Sequence, residues 1–180
     1  KGVEVIGLDV DQNKVDALNA GTSYIEHIPS AAVAEQVNAG RFSASSDFSD
    51  VSAVDAVLIA VPTPLSKNRD PDISYVLKSG EAIAPHLPKG IVVVLESTTY
   101  PGTTDCELRE VLEKGSGLTA GVDFHLAYSP EREDPGNPDS KVEIIPKVIG
   151  GLTPACLEKA MAVYSHAIKT LIPVSSCRAA

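Results

Sequence analysis

The sequence predicts an α/β fold, a doubly wound and mainly parallel sheet with helices on both faces. Three observations carry this. Short β-rich runs alternate with helix-forming stretches along the chain, and strand–helix–strand order builds parallel sheets. Two runs, "DAVLIAVP" at 55–62 and "IVVVL" at 91–95, are almost wholly apolar, as strands covered on both faces are. These runs also end in polar residues, and open parallel sheets bind ligands beyond the carboxyl ends of their strands.

Val3 to Leu8 reads as a first strand. "QNKVDALNAG" then reads as a helix with Val15 and Leu18 on its apolar face and Gly21 at its end. Residues 29–39 form a second helix, with Pro29 near its start and Gly40 after it. A short strand follows near Arg41-Phe42-Ser43, then the apolar strand 55–62. The loop 63–72, "TPLSKNRDPD", is rich in turn formers. Ile73 to His86 is a helix with Val76, Ala82, Ile83 and Leu87 roughly on one side, and the strand 91–95 comes next. A helix from Thr104 to Lys114 is expected to have a Thr/Asp start and to close at Gly115. "FHLAYSPE" at 124–131 is a strand ending in polar residues, and "EREDPGNPDSK" is a polar loop. "KVIGG" at 147–151 is a short strand. A helix runs from Thr153-Pro154 to Ala167, and "TLIPV" at 170–174 is the last strand.

The 180 residues suffice for one domain with a connecting piece. A net charge of -9 argues against nucleic-acid and membrane-surface partners, which usually need a basic patch. No apolar run approaches the roughly 20 residues of a membrane span, and no signal-peptide pattern is present. Cys106, Cys156 and Cys177 are scattered and odd in number, which suits a reducing, cytoplasmic compartment. The four histidines stand singly, without metal-ligand spacing. The chain opens on Lys1-Gly2 rather than Met and stops uncapped after Cys177, so a fragment of a longer protein is expected.

Four strand tips carry candidate chemistry. Asp9 follows the first strand, where a carboxylate can accept hydrogen bonds from the adenosine ribose and would repel a 2′-phosphate, favouring NAD over NADP. A helix N-cap is the competing role, one that Asp11 could fill equally well. The glycine-rich phosphate turn that should precede such an acid by roughly 20 residues does not appear. Val61-Pro62-Thr63-Pro64 is either a rigid strand exit along a cofactor or a plain turn. Ser97 and Thr98 supply small hydroxyls that can bind a ligand or ordered water, or simply link the strand to the next helix. Glu131 is either a general base or half of an ion pair with Arg132.

"LDVD", "VPTP", "ESTTYPGTT", "SGLTAGVDFHLAYSPEREDPGN" and "PKVIGG", in this order, resemble the NAD-binding domain of the UDP-glucose/GDP-mannose dehydrogenase family, nearest its UDP-N-acetylglucosamine 6-dehydrogenase branch. The resemblance implies a Rossmann-like fold over 1–174 lacking its first strand, glycine-rich turn and first helix, with 175–180 starting the connection to a central helix and second domain. It implies NAD as cofactor, a UDP-sugar as substrate and a homo-oligomeric parent that makes uronic acids for surface polysaccharides. The C6 alcohol would be oxidised in two hydride transfers, through a thioester on a cysteine that none of the three here matches. By position, Asp9 matches the ribose acid and Lys14 a basic residue near the adenosine. Val61 to Leu65 match the exit along the cofactor, which includes Pro62, Thr63 and Pro64. Thr98 matches the threonine that holds the catalytic water, beside Ser97 on the cofactor. Glu131 matches the acid at the reacting carbon, and Arg132 and Glu133 match residues lining the sugar nucleotide. Pro135 stands where the UDP-glucose branch typically has a second glutamate, which weakens UDP-glucose as substrate. UDP-N-acetylmannosamine and UDP-glucose remain alternatives, as does a non-catalytic nucleotide-binding module. A short-chain or hydroxyacid dehydrogenase fits less well, since no Tyr-x-x-x-Lys pair is present. The isolated chain is expected to be inactive, with two normally buried sheet edges open.

Overall fold

The computed structural model describes residues 2–65, 71–131 and 145–180. Arg132, Glu133 and Pro135 lie outside the described residues. The chain divides into two compact units, Lys1–Asp50 and Val51–Ala180.

In the first unit, β1 (Val5–Leu8) pairs in parallel with β2 (Phe42–Ser45), Val5 lying opposite Phe42 and Leu8 opposite Ser45. Between them run α1 (Gln12–Asn19) and α2 (Ser30–Asn38). Asp11 is the N-cap of α1, accepting a hydrogen bond from the Asn13 amide at 3.0 Å. That satisfies a free helix-end donor and leaves Asp9 outside the capping role. Val15 is buried beneath α1, and the Asn19 side chain pins β2 through both the Ala44 amide and carbonyl, each at 2.8 Å. β1 has no second partner strand among the described residues, and Val5 is 50% exposed.

The second unit is a five-stranded sheet in the order β3-β4-β5-β6-β7. Its elements in chain order are β3 (Ala56–Ile59), α3 (Ser74–Ile83), β4 (Val92–Leu95), α4 (Arg109–Ser116), β5 (His125–Tyr128), β6 (Lys147–Gly151), α5 (Pro154–Ser165) and β7 (Leu171–Val174). β4 is covered on both faces, as its apolar run predicts. Val92 and Val94 pack with Ala127, Ile149 and the α5 residues Ala160 and Tyr164. Val93 and Leu95, which the pleat turns to the opposite face, are fully buried too. β3 departs from the same expectation. It is an edge strand, and Leu58 is 46% exposed.

β6 and the helix after β4 stand apart from the regular pattern. The sheet is mainly parallel, but β6 runs antiparallel to β5. The helix after β4 closes at Gly117 in a left-handed conformation (φ 71°), not at Gly115. Gly115 instead lies inside the helix, where a Cβ would meet Ala84 Cβ at 2.6 Å, so it permits close packing rather than a turn. This helix also has no Thr/Asp cap. Gly102 (φ 112°) precedes a π-helical turn over Thr103–Leu108 that leads into α4.

Candidate functional site

Strand register aligns the tips of the second unit. Ile59 of β3 lies opposite Leu95 of β4, and Leu95 lies opposite Tyr128 of β5. Pro62, Thr98 and Glu131 are each the third residue beyond these aligned positions. A rigid exit, a hydroxyl and a carboxylate thus leave the sheet in step along one edge. Thr98 and Glu131 are exposed there.

Glu96 and Ser97 fasten this edge. The Glu96 amide donates to the Ile59 carbonyl at 2.9 Å, and the Glu96 carbonyl accepts from the Glu131 amide at 3.4 Å. Ser97 is buried. Its hydroxyl accepts from the Val61 amide at 2.9 Å and lies 2.8 Å from the Val61 carbonyl oxygen, as a donor to it. It therefore holds the start of the Val61–Pro64 exit against β4. Pro64 in turn accepts from the Asp72 amide at 2.8 Å.

The carboxylate of Glu96 faces inward. Its Oε1 is 2.9 Å from Lys147 Nζ and accepts the Tyr164 hydroxyl at 2.6 Å. Lys147 and Tyr164 carry a polar cluster at the strand tips that sequence reasoning missed. The available signals were a lysine opening the otherwise apolar "KVIGG" and a tyrosine on the buried face of a helix. Burial foremost, and then the Glu96 charge, push the Tyr164 hydroxyl pKa far up, so it remains a donor.

In the first unit, Asp9 and Lys14 come together. Asp9 is the first residue past β1, with its amide bonded to the Ser45 carbonyl at 3.2 Å. Its Oδ1 accepts the Asp11 amide at 2.9 Å, and its Oδ2 pairs with Lys14 Nζ at 3.3 Å. The hydrogen bond and charge of Asp9 raise the Lys14 pKa. Lys14 also lies over the Tyr24 ring, 5.4 Å from its centroid. A carboxylate has about four acceptor sites, so Asp9 retains capacity for ribose hydroxyls. Asp9 and Lys14 thus fit the adenosine end of a dinucleotide. No group of three or more His, Cys, Asp or Glu side chains among the described residues could hold a metal, and no described helix is long and apolar enough to cross a membrane.

Residues 1–168 match the model of the UDP-glucose/GDP-mannose dehydrogenase family, NAD binding domain. The chain belongs to this family. It is 35% identical over 164 residues to the UDP-N-acetyl-D-glucosamine 6-dehydrogenase of Pseudomonas aeruginosa, covering 91% of this chain and 38% of that protein. It is 37% identical over 185 residues to the UDP-N-acetyl-D-mannosamine dehydrogenase of Escherichia coli K12, covering 98% and 43%. Among solved structures, the NDP-N-acetyl-D-galactosaminuronic acid dehydrogenase of Methanosarcina mazei Go1 superposes with a TM-score of 0.90 at 33% identity, covering 98% of this chain and 39% of that one. The chain spans about four tenths of the length of these dehydrogenases. NAD is the nucleotide that the matched family domain is described as binding.

Proposed function

We propose that this chain is part of an NAD-dependent nucleotide-sugar 6-dehydrogenase that oxidises the C6 alcohol of a UDP-N-acetylhexosamine to the uronate. UDP-N-acetylglucosamine is the favoured substrate, and UDP-N-acetylmannosamine the nearest alternative. The observation that carries this is that Pro62, Thr98 and Glu131 each follow by three residues the mutually opposed Ile59, Leu95 and Tyr128 of three adjacent strands, along a single sheet edge. NAD would accept one hydride in each oxidation, a fresh molecule replacing the NADH formed in the first, and water would supply the second carboxylate oxygen.

Each residue then has a role. Asp9 holds the adenosine ribose hydroxyls, with Lys14 beside it. Val61 to Pro64 lie along the cofactor, and Ser97 fixes that segment through the Val61 backbone. Thr98 orients the hydrolytic water. Glu131 moves protons at the reacting carbon. Arg132 and Glu133 line the sugar nucleotide. The nucleophilic cysteine comes from outside this chain, and two of the three here, Cys156 and Cys177, are buried. We place the enzyme in the cytoplasm, where NAD and nucleotide sugars are made, and as a homo-oligomer serving surface polysaccharide synthesis.

The test is stoichiometric. The parent protein is incubated with NAD and UDP-N-acetylglucosamine, UDP-N-acetylmannosamine or UDP-glucose, and NADH is counted per sugar consumed. Two NADH per N-acetyl sugar is expected, with Thr98→Ala and Glu131→Ala each lowering kcat by about 10²–10⁴-fold. A folded parent that binds NAD but makes no NADH from any of these sugars overturns the reading and leaves a binding module.

A further inference from the structure

We propose that Glu96, Lys147 and Tyr164 form a buried polar brace that positions the exits of β4 and β5, and with them Thr98 and Glu131. The role in turnover rests on the dehydrogenase reading; the brace itself rests on geometry alone.

Each of the three touches the other two. Glu96 Oε1 takes both Lys147 Nζ at 2.9 Å and the Tyr164 hydroxyl at 2.6 Å, while Lys147 Nζ sits 5.0 Å from the Tyr164 ring centroid. The side chains of Lys147 and Glu96 are only 10% and 14% exposed. They come from β6, from the residue just past β4, and from α5. The antiparallel register explains how Lys147 arrives. Tyr128 lies opposite Gly150, and continuing that pairing sets Lys147 opposite Glu131.

Glu96 is the junction of the edge. Its amide holds β3 through Ile59, its carbonyl holds Glu131, and its side chain holds β6 and α5. Thr98 follows two residues later. Val92, Val94 and Glu96 alternate on the face that α5 covers. A valine at position 96 would continue the apolar pattern with no charge to desolvate. Replacing a buried ion pair by such packing is often neutral or stabilising, so net stability does not account for the two charges here. The core beneath this face is already filled by Ala127, Ile149, Ala160 and Ile168. The brace therefore defines the tips rather than the fold.

The test uses Tyr164→Phe in the full-length protein. This removes one hydroxyl and keeps the ring that packs on Lys147. Glu96→Gln combined with Lys147→Met, which removes both charges together, is the second variant should the first fail to fold. Amide hydrogen exchange is read at the tip residues Ser97 and Glu131, whose amides donate to the Ile59 and Glu96 carbonyls, with Val93 and Leu126 as core references. Exchange at the two tips should rise about tenfold while the references hold still. In turnover, kcat should fall about tenfold while the KM for NAD stays within about twofold, since geometry at the reacting centre is lost and cofactor contacts are not. Lys147→Arg, which keeps the charge, should recover more of kcat than Lys147→Met. Unchanged exchange at both tips overturns the brace, and loosened tips with unchanged kcat overturn its part in the reaction. A parent that makes no NADH refutes the dehydrogenase reading instead, and the exchange result then still decides the brace.

Discussion

Removing one partner of the Glu96–Lys147 pair should cost far more than removing both. Lys147→Met leaves the Glu96 carboxylate at a 14%-exposed site with the Tyr164 hydroxyl as its remaining side-chain partner among the described residues. Breaking a buried ion pair typically costs about 3–5 kcal/mol. The residual exposure here points to the lower end, about 3 kcal/mol, or roughly 6–12 °C in melting temperature for a chain of this size. Glu96→Gln combined with Lys147→Met removes both charges and leaves a neutral amide that can still accept from Tyr164. The double variant should cost about 1 kcal/mol, so the two changes couple by at least about 2 kcal/mol. The assay is urea denaturation followed by far-UV circular dichroism, because the chain has no tryptophan to report by fluorescence. A Lys147→Met cost below about 1 kcal/mol, or a double variant no better than the sum of the singles, would refute the reasoning.

Three further outcomes are expected. In Gly150→Ala the new methyl would overlap the Ser176 carbonyl oxygen, a backbone atom that no side-chain rotation relieves; a loss of about 3 kcal/mol is expected by the same denaturation assay, and a loss under about 0.5 would contradict the packing. His125 has its pKa lowered, first by burial and then by the Lys159 charge, and its Nδ1 is buried with no hydrogen-bond partner among the described residues. A depressed folded pKa favours folding above the unfolded value of about 6.5 and loses that contribution as pH falls through the folded value. Stability should therefore drop between pH 7.5 and 5.5, and His125→Phe should flatten that slope; an equal slope in the variant would count against it. Burial, with the Asp105 charge second, pushes the Cys177 thiol up to about 12, while Cys106 is exposed. Iodoacetamide at pH 7.5 followed by peptide mass mapping should label Cys106 first and Cys177 only after unfolding. Comparable early labelling of both would refute the assigned burial.

Much of the fold is legible because it is written in local pattern. The "VVVL" core of β4, the Asp11 cap and the Thr153-Pro154 start of α5 each declare themselves within a few residues. What escaped depends on distant partners. Gly115 resembles a helix terminator until Ala84 is seen against it. Nothing near Lys147 states that β6 runs backwards, since direction follows from which end of the sheet the chain re-enters. The candidate site divides in the same way. Asp9, Thr98 and Glu131 mark strand tips, so strand prediction alone finds them. Tyr164 reaches Glu96 across 68 positions, and a helical tyrosine carries no sign of its partner. Ser97 was legible as a tip residue, but its grip on the Val61 backbone depends on strand pairing.

The open edge strands have a consequence for handling. β1 exposes half of Val5, and β3 leaves Leu58 46% exposed. Edge strands that present apolar side chains invite copy-to-copy strand addition. Electrostatic repulsion from the net charge of -9 opposes this approach. That colloidal barrier vanishes near the isoelectric point of about 4.8 and shrinks when salt shortens the screening length to about 10 Å at 0.1 M. Concentrated stocks should therefore stay dispersed in dilute alkaline buffer and turn turbid on mild acidification, well before the polypeptide unfolds.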